Sequence, residues 1–216
     1  MSEKKKKGFY ESYIKLPQDV ILSAVALIIL SPVLLAVAIL VRINLGAPVI
    51  FKQERAGKDG KPYNMYKFRS MSDNCDCNGE PLPDDMRLGK FGKALRATSL
   101  DELPSLWNVL CGQCSLVGPR SLYVKYNGRY SEFQSRRLEV RPGITGLAQV
   151  NGRNAISWEE KFEYDVRYVD NVTFVGDWKI MFKTVGKVFK REGITSATSV
   201  TMEEFMGTEA EKVENE

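Results

Sequence analysis

The chain has 216 residues, with 31 Lys and Arg against 27 Asp and Glu and a formal net charge of +4. This length allows one packed domain and an appendage, and the mildly basic charge suits an anionic membrane surface or a polyphosphate substrate without indicating nucleic acid. The sequence contains no histidine, which excludes a histidine general base, a Ser-His-Asp triad and histidine metal ligands.

The first predicted element is an apolar segment from Val20 to Val41, which as a straight helix is long enough to cross a bilayer. Ser31 and Pro32 interrupt it at the centre, where a proline removes one backbone hydrogen bond and kinks a helix. Basic residues flank both ends, whereas a spanning helix normally has them in excess on one side. We therefore predict a re-entrant helix–break–helix, with a kinked spanning helix as the alternative.

Two strand-like stretches come next, Pro48 to Lys52 and Tyr63 to Met71, with a glycine turn at 56–60 between them. This arrangement predicts a β-hairpin. The polar residues 72–86 predict a loop, and helical periodicity follows from Arg87 to Arg96.

Adjacent carboxylates, Asp101 and Glu102, then begin a second helical pattern. Ser99 and Glu102 have the spacing of a capping box; with Asp101 as the N-cap instead, Pro104 would fall inside the first turn. In both cases the helix dipole favours the ionised form of Asp101. The two carboxylates either cap the helix or serve as a nucleophile and a metal ligand. A buried helix face is predicted at Leu103, Leu106, Trp107 and Leu110.

Two arginines flank these carboxylates: Arg96 precedes them, and Arg120 follows in a Gly-Pro turn. Carboxylates, guanidiniums and a divalent metal are the groups that handle phosphate esters. A second glycine-rich turn at 141–146 precedes Asn151 and Arg153, which could cradle a phosphate or a nucleoside. It is not a P-loop, because the Lys-Ser/Thr ending is missing.

Two helices are predicted near the C-terminus. The segment from Trp158 to Tyr168 mixes aromatic and charged residues, and the segment from Trp178 to Phe189 is amphipathic with several lysines. The second helix either lies on a membrane surface or is an ordinary surface helix of the domain. The predicted regions are a basic N-terminal segment at 1–16, a re-entrant membrane unit at 17–45, a catalytic domain at 46–194 and a polar, acidic tail at 195–216.

The chain resembles the small monotopic phosphoglycosyl transferases of the bacterial sugar transferase family. The resemblance rests on four motifs in this order: YKFRSM (Tyr66 to Met71), SLDELP (Ser99 to Pro104), SLVGPR (Ser115 to Arg120) and RPGITGLAQVNGRNAISW (Arg141 to Trp158). It departs from the family pattern at Gln113 and Cys114 and at Ser121, none of which takes part in the implied chemistry.

The resemblance implies an α+β fold, in which a re-entrant membrane helix–break–helix joins a small, mainly helical cytosolic domain with a short β-hairpin and interfacial amphipathic helices. It also implies transfer of a sugar-1-phosphate from a UDP-sugar to undecaprenyl phosphate with release of UMP, as the first membrane step of glycoconjugate assembly. It favours an N-acetylated amino sugar such as diacetylbacillosamine as the donor sugar. The expected location is the cytoplasmic face of the bacterial inner membrane, with downstream glycosyltransferases as further partners.

The resemblance also implies roles for individual residues. Asp101 would be the nucleophile that attacks the β-phosphate, and Glu102 its partner in metal or proton handling, with Mg2+ held by both. Arg96 and Arg120 would position phosphates. The remaining correspondences are Lys67 and Asp165, which match other polar positions of the active site, and Ser31 and Pro32, which match the break of the re-entrant helix.

Two other functions are compatible with the sequence. One is a non-catalytic, membrane-anchored scaffold of a glycan pathway, against which the intact carboxylate pair and Arg120 argue. The other is a membrane-tethered zinc or redox protein that uses the four cysteines in a Cys-x-Cys and a Cys-x-x-Cys arrangement; these are Cys75, Cys77, Cys111 and Cys114.

Overall fold

The computed structural model describes residues 7–152, 156–190 and 204–207. Helices and two small sheets alternate along the chain, which confirms the prediction of a mixed, mainly helical α+β fold. The helices are α1 (Lys15–Ile29, preceded by a π-helical turn, Tyr10–Ile14), α2 (Ser31–Leu45), α3 (Asp84–Arg87), α4 (Lys90–Ala97), α5 (Leu106–Leu110), α6 (Glu132–Ser135), α7 (Leu147–Asn151), α8 (Trp158–Asp170) and α9 (Phe174–Lys190). The strands are β1 (Ile50–Ala56), β2 (Pro62–Phe68), β3 (Ser115–Val117) and β4 (Gly143–Thr145), and 3-10 turns lie at Lys58–Gly60, Leu100–Ser105, Val124–Tyr126 and Arg136–Glu139.

The apolar N-terminal segment is two helices that are separated at Leu30, where φ is −86° and ψ is 1°. Pro32 falls in the first turn of α2, where its missing N–H leaves no gap in the hydrogen bonding, and the Ser31 hydroxyl donates to the carbonyl of Ile28 at 2.8 Å. The predicted break is therefore confirmed, one residue before Ser31. In the described part of the chain, the helical stretch Tyr10–Ile29 has the length and composition needed to cross a membrane.

The side of α1 that faces the domain is polar. Lys15, Asp19 and Ser23 recur at the i, i+4 spacing of one helix face and are buried. A helix on a soluble core would bury its apolar residues instead. The exposed large apolar side chains of the two helices are Leu16, Ile21, Val25, Ile28, Ile29, Val33, Leu35, Ile39, Leu40 and Ile43.

Both helices return to the same domain. The N-terminal part of α1 lies against α5 and β3. In α2, Val37 and Val41 pack with Phe68 of the hairpin and Leu95 of α4. The break at Leu30 thus lies between two helices that are each attached to the domain.

The predicted hairpin is confirmed, with Ile50 opposite Phe68 and Ala56 opposite Pro62. Strand β1 extends further than the predicted end at Lys52, because the polar run that follows still forms ladder hydrogen bonds, which do not depend on side-chain hydrophobicity. The chain turns only at Lys58–Gly60, where Asp59 has a φ of 56°.

Residues 98–110 differ from both predicted arrangements of the helix start. Ser99 has a φ of 56° and makes no capping hydrogen bond, and Leu100–Ser105 form a 3-10 turn that contains Pro104. A 3-10 turn has 3.0 residues per turn and shifts the phase of the helix that follows it. The predicted buried face is therefore wrong at Trp107, which is 54 % exposed, while Asn108 is buried.

The two glycine-rich turns of the sequence form a second sheet. Strands β3 and β4 are parallel, with Ser115 beside Gly143 and Val117 beside Thr145. The backbones approach so closely that a Cβ on Gly143 would lie 2.1 Å from the nitrogen of Gly118. This contact requires glycine at both positions.

The two predicted C-terminal helices are confirmed as α8 and α9. Helix α8 begins with a capping box between Ser157 and Glu160. Helix α9 buries Asp177 and Ile180, while Phe182 and Val185 are exposed.

Only residues 204–207 of the predicted acidic tail lie in the described part of the chain. Phe205 is completely buried there, against Tyr126 and Phe162, so this part of the tail belongs to the domain. An aromatic side chain with buried partners outweighs the polar composition around it.

Candidate active site

Three elements converge on the carboxylate of Glu102. Lys67 of β2 donates a hydrogen bond of 2.7 Å to Glu102 Oε1. Arg120, just after β3, donates from Nη2 to the same oxygen at 2.6 Å. The structure therefore brings together three of the residues that the sequence nominated for the site.

The backbone of Arg120 is held on two sides. The N–H of Gly143 in β4 donates to the carbonyl of Pro119 at 2.9 Å. Arg137 donates from Nη2 to the carbonyl of Arg120 itself at 2.6 Å. The guanidinium of Arg120 therefore extends into the site from a fixed main chain.

Asn108 fixes the strand that carries Lys67. This fully buried side chain accepts from the N–H of Tyr66 at 3.0 Å and donates to the carbonyl of Asn64 at 2.7 Å. It ties β2 to α5 directly beside the 3-10 turn that carries Glu102. Asn108 was not among the residues nominated from the sequence, although a polar residue between Trp107 and Val109 in an apolar run is a signal of a buried hydrogen-bonding role.

Asp101 differs from its neighbour in having no hydrogen-bond or ion-pair partner among the described residues. Its side chain is 8 % exposed, and no donor or cation of the described residues lies within hydrogen-bond or ion-pair distance of its carboxylate. Arg96 is near enough to act on it electrostatically, while its Nε donates to the Ser70 hydroxyl at 2.9 Å. The two adjacent carboxylates therefore have different environments.

These environments shift the pKa values of the two carboxyl groups in opposite directions. Burial, followed by the negative charge of Glu102, raises the pKa of Asp101 to about 6. Burial opposes the ionisation of Glu102 as well, but Arg120 and Lys67 outweigh it and hold the pKa of Glu102 well below its usual range. The predicted effect of a helix dipole on Asp101 is outweighed by burial, because a single 3-10 turn presents only a small dipole.

The pair fits a magnesium ion. Oε2 of Glu102 and the carboxylate of Asp101 make no hydrogen bond with the described residues, and in that part of the chain no third acidic or cysteine side chain joins them. Mg2+ is commonly held by one or two carboxylates, together with waters and substrate phosphates. Asp101 and Glu102 could therefore supply its protein ligands.

Glu102, Lys67 and Arg120 together form what we call the Glu102 cluster. A cleft opens beside this cluster and contains a further cation, Arg55, that was not nominated for the site from the sequence. Arg55, near the end of β1, lies in the wall of this cleft. Because Arg55 follows Gln53 by two residues, both side chains lie on the same face of the strand. The cleft is lined by Arg55, Met65, Lys67, Glu102, Ser105, Arg120, Ser121, Gly143 and Ile144.

Two other nominated residues, Asp165 and Asn151, lie away from the cleft. Asp165 is 3 % exposed and accepts from Nε and Nη2 of Arg137 at 3.0 and 2.8 Å, so it lies behind Arg120 and outside the lining of the cleft. Asn151 is exposed at the end of α7 and donates to the carbonyl of Leu147. Arg153 lies outside the described residues.

The cysteines do not form a common site. Cys114 is buried, and its thiol donates to the Tyr63 hydroxyl at 3.0 Å, whereas Cys75, Cys77 and Cys111 are exposed. Among the described residues, no three side chains of the metal-binding types come together. This arrangement contradicts a zinc site made of all four cysteines.

Comparison with known proteins places these features in a family. The family model described as bacterial sugar transferase matches residues 10–191. EpsL of Bacillus subtilis, described as an uncharacterized sugar transferase, is 54 % identical over 82 % of this chain and 88 % of its own length.

Two longer relatives have more specific names. The UDP-glucose:undecaprenyl-phosphate glucose-1-phosphate transferase of Klebsiella pneumoniae is 44 % identical over 80 % of this chain and 39 % of its own length. The UDP-N-acetylgalactosamine-undecaprenyl-phosphate N-acetylgalactosaminephosphotransferase of Aeromonas hydrophila is 37 % identical over 81 % of this chain and 43 % of its own length. The chain thus spans less than half of these two proteins. It belongs to the bacterial sugar transferase family.

Proposed function

We propose that this bacterial sugar transferase moves a sugar-1-phosphate from a UDP-sugar to undecaprenyl phosphate through a covalent phosphosugar intermediate on Asp101. The observation that carries the proposal is the contrast between Asp101, which has no hydrogen-bond donor among the described residues, and Glu102, which binds two cations. The names of the relatives, which act on UDP-sugars and undecaprenyl phosphate, support the same reaction.

In the first step, an oxygen of Asp101 attacks the β-phosphorus of the UDP-sugar. The bond from that phosphorus to the oxygen bridging to the α-phosphate breaks, and UMP leaves with the electron pair. Asp101 suits this role, because a carboxylate without hydrogen bonds keeps its lone pairs available for attack. Glu102 does not, because Lys67 and Arg120 already bind one of its oxygens.

In the second step, a phosphate oxygen of undecaprenyl phosphate attacks the phosphorus of the intermediate. The bond to Asp101 breaks, the carboxylate is regenerated, and the sugar leaves as the lipid diphosphate. Lys67 and Arg120 face the charge that develops on the transferred group, and fixed cations stabilise such charge without reorganising. Glu102 holds both cations in place.

Asp101 and Glu102 would together hold Mg2+. When bound there, the ion would neutralise diphosphate charge and favour the ionised form of Asp101. Arg96 would add to this effect from its position on the Ser70 hydroxyl.

The donor sugar is proposed only as the sugar of a UDP-sugar. The relatives' names include glucose and N-acetylgalactosamine, and an N-acetylated amino sugar such as diacetylbacillosamine stays a prediction of the sequence.

We place the protein on the cytoplasmic face of the inner membrane, with α1 and α2 as a re-entrant unit. The polar domain-facing side of α1, its exposed apolar residues and the attachment of both helices to one domain support this arrangement. Apolar side chains of α9 are also exposed, at Phe174, Val175, Phe182 and Val185, and they fit an interfacial helix.

Intact-protein mass spectrometry tests the chemistry. Detergent-solubilised protein is mixed with Mg2+ and a panel of UDP-sugars without acceptor, using glucose, galactose, N-acetylgalactosamine and diacetylbacillosamine as sugars. We expect an adduct of one phosphosugar mass with at least one donor, and none on Asp101→Asn. The matched control is Asp85→Asn, which removes an exposed carboxylate and should retain the adduct.

An adduct that persists on Asp101→Asn would show that another residue is the nucleophile. No adduct with any donor, together with no UMP release after undecaprenyl phosphate is added, would favour the non-catalytic scaffold.

Side-specific labelling tests the topology. A Cβ at Gly8 meets no atom within 4 Å, so Gly8→Cys with the other exposed cysteines replaced by serine reports the N-terminal side. The native Cys75 and Cys77 report the domain side. Re-entry predicts that a membrane-impermeant maleimide labels both reporters in inverted vesicles, whereas labelling of Gly8→Cys only from the opposite side would show a spanning helix.

A further inference from the structure

Arg55 is held rigidly at the edge of the cleft. Its guanidinium lies over the ring of Tyr123, with Cζ 3.9 Å from the ring centroid. Nε and Nη2 donate to Oε1 of Gln53 at 3.1 and 2.5 Å, and Gln53 Nε2 donates to the Tyr123 hydroxyl at 3.2 Å. These contacts close a triangle that fixes the orientation of the guanidinium plane.

Arg55 has no carboxylate partner among the described residues. Lys67 and Arg120 in the same cleft are both paired with Glu102, whereas no acidic side chain of the described residues lies within ion-pair distance of Arg55. Burial lowers the pKa of its guanidinium, with Tyr123 opposing this effect and Arg120 adding to it. A partly buried cation beside another cation is stabilised by an anion.

We propose that Arg55, oriented by Tyr123 and Gln53, forms a second phosphate-binding subsite beside the Glu102 cluster. A planar guanidinium binds phosphate through two parallel hydrogen bonds and is the group best suited to such a site. The phosphate can come from the departing nucleotide or from the polyprenyl acceptor. This inference rests on the proposed function, since it assumes that both phosphates visit the cleft.

One subsite can serve both phosphates in succession. In-line displacement puts the leaving group opposite Asp101 in the first step and the attacking phosphate opposite Asp101 in the second. The nucleotide phosphate and the acceptor phosphate therefore approach the transferred phosphorus from the same side. The Glu102 cluster would hold the transferred phosphoryl group throughout.

The contribution of a phosphate group to binding can be measured with pairs of ligands that differ only in that phosphate. For the full chain in detergent, the affinity ratio of UMP to uridine gives the contribution of the nucleotide phosphate. The ratio of polyprenyl phosphate to polyprenol, in the same micelles, gives that of the acceptor phosphate. We expect Arg55→Gln to reduce at least one ratio by about tenfold or more, as for loss of a charge-assisted hydrogen bond.

The matched control is Lys52→Gln, which removes a charge from the same strand at an exposed position whose side chain points to the opposite face from Arg55. It should leave both ratios unchanged. A fall in the UMP ratio alone assigns the subsite to the nucleotide, a fall in the acceptor ratio alone assigns it to the lipid, and a fall in both shows a shared subsite. Equal ratios in wild type, Arg55→Gln and Lys52→Gln would overturn the proposal.

Two further variants keep the test decisive if Arg55→Gln does not fold. Arg55→Lys keeps the positive charge but loses the planar guanidinium, and with it the stacking on Tyr123 and the paired N–H donors. Tyr123→Leu keeps Arg55 but removes the ring on which its guanidinium stacks. Both should lower the affected ratio, and unchanged ratios in both would also overturn the proposal. The adduct assay on wild type reports separately on the proposed function, because binding ratios do not require turnover.

Discussion

Arg137 donates a hydrogen bond of 2.6 Å to the backbone carbonyl of Arg120. Its guanidinium is in turn paired with the buried carboxylate of Asp165. The two form a support behind the active site, so the effect of Asp165 on activity would act through the position of Arg120 and not through contact with substrate.

Replacing Asp165 should therefore reduce stability first. Asp165→Asn leaves the Arg137 charge buried without its partner, which typically costs about 3–5 kcal/mol, and we expect a lower midpoint of thermal unfolding and a lower kcat. The control is Asp170→Asn, which breaks the exposed pair with the neighbouring Arg136 and should cost less than about 1 kcal/mol. If Asp165→Asn keeps wild-type stability and raises only KM for the UDP-sugar, a direct substrate contact is the better explanation.

The pH dependence of adduct formation should reflect Asp101. Its pKa is raised to about 6, and the nucleophile must be ionised, so the rate should fall as the pH is lowered through this value. Because a bound cation favours the ionised carboxylate, the midpoint should approach about 6 at low Mg2+ and shift downward as Mg2+ rises. Rates from single-turnover mass spectrometry measure this, and a profile that does not respond to Mg2+ would contradict it.

Glu102→Gln should lower the pH at which the rate of adduct formation falls to half of its maximum. The substitution removes the negative charge that raises the pKa of Asp101, and it frees Lys67 and Arg120 from their carboxylate. Both changes favour ionised Asp101, so the midpoint should shift to lower pH, while the rate falls because the two cations lose their anchor. A midpoint that moves upward would show that Glu102 does not act on Asp101 electrostatically.

The close approach of β3 and β4 makes Gly143 intolerant of a side chain. A Cβ there would lie 2.1 Å from the Gly118 nitrogen and 2.3 Å from the Thr145 carbonyl oxygen, and backbone atoms of a paired strand cannot easily move away. We expect Gly143→Ala to lower stability by about 1–3 kcal/mol or more and to reduce activity by displacing Arg120.

Gly186→Ala is the control for Gly143→Ala, and we expect it to change the stability in the opposite direction. Gly186 lies in α9, and a Cβ there meets nothing within 4 Å. Alanine should stabilise this helix by about 0.5–1 kcal/mol. Thermal unfolding of both variants checks the pair, and equal behaviour would contradict the assigned contact.

The attachment of α1 depends on Asp177 of α9. Its carboxylate accepts from Lys15 Nζ at 2.5 Å and from the hydroxyls of Tyr10 and Tyr168 at 2.8 Å each. Asp177→Asn should weaken this attachment and increase hydrogen exchange in α1 between Lys15 and Ser23. The exposed Lys183→Gln on the same helix is the control, and equal exchange in both variants would show that the ion pair does not hold α1.

Several elements were predictable from local patterns. The break before Pro32, the hairpin and the last two helices follow from backbone geometry, turn residues and periodicity, which act over a few positions. The start of the helical pattern at 99–105 could not be predicted in this way, because the left-handed conformation of Ser99 depends on the packing around it. The exposure of Trp107 follows from that same shift in helix phase.

The candidate site shows the same division. The sequence alone determined which groups are present: two adjacent carboxylates, the arginines that flank them and a lysine, in a chain without histidine. Only the tertiary structure decided that Lys67 and Arg120 share one oxygen of Glu102, that Asp101 is left without a partner in the described residues, that Asp165 lies behind the site, and that Arg55 faces the cleft. The reason is physical: residue type sets the chemistry a group can perform, whereas its charge state and partners depend on burial and on distances between segments far apart in the chain.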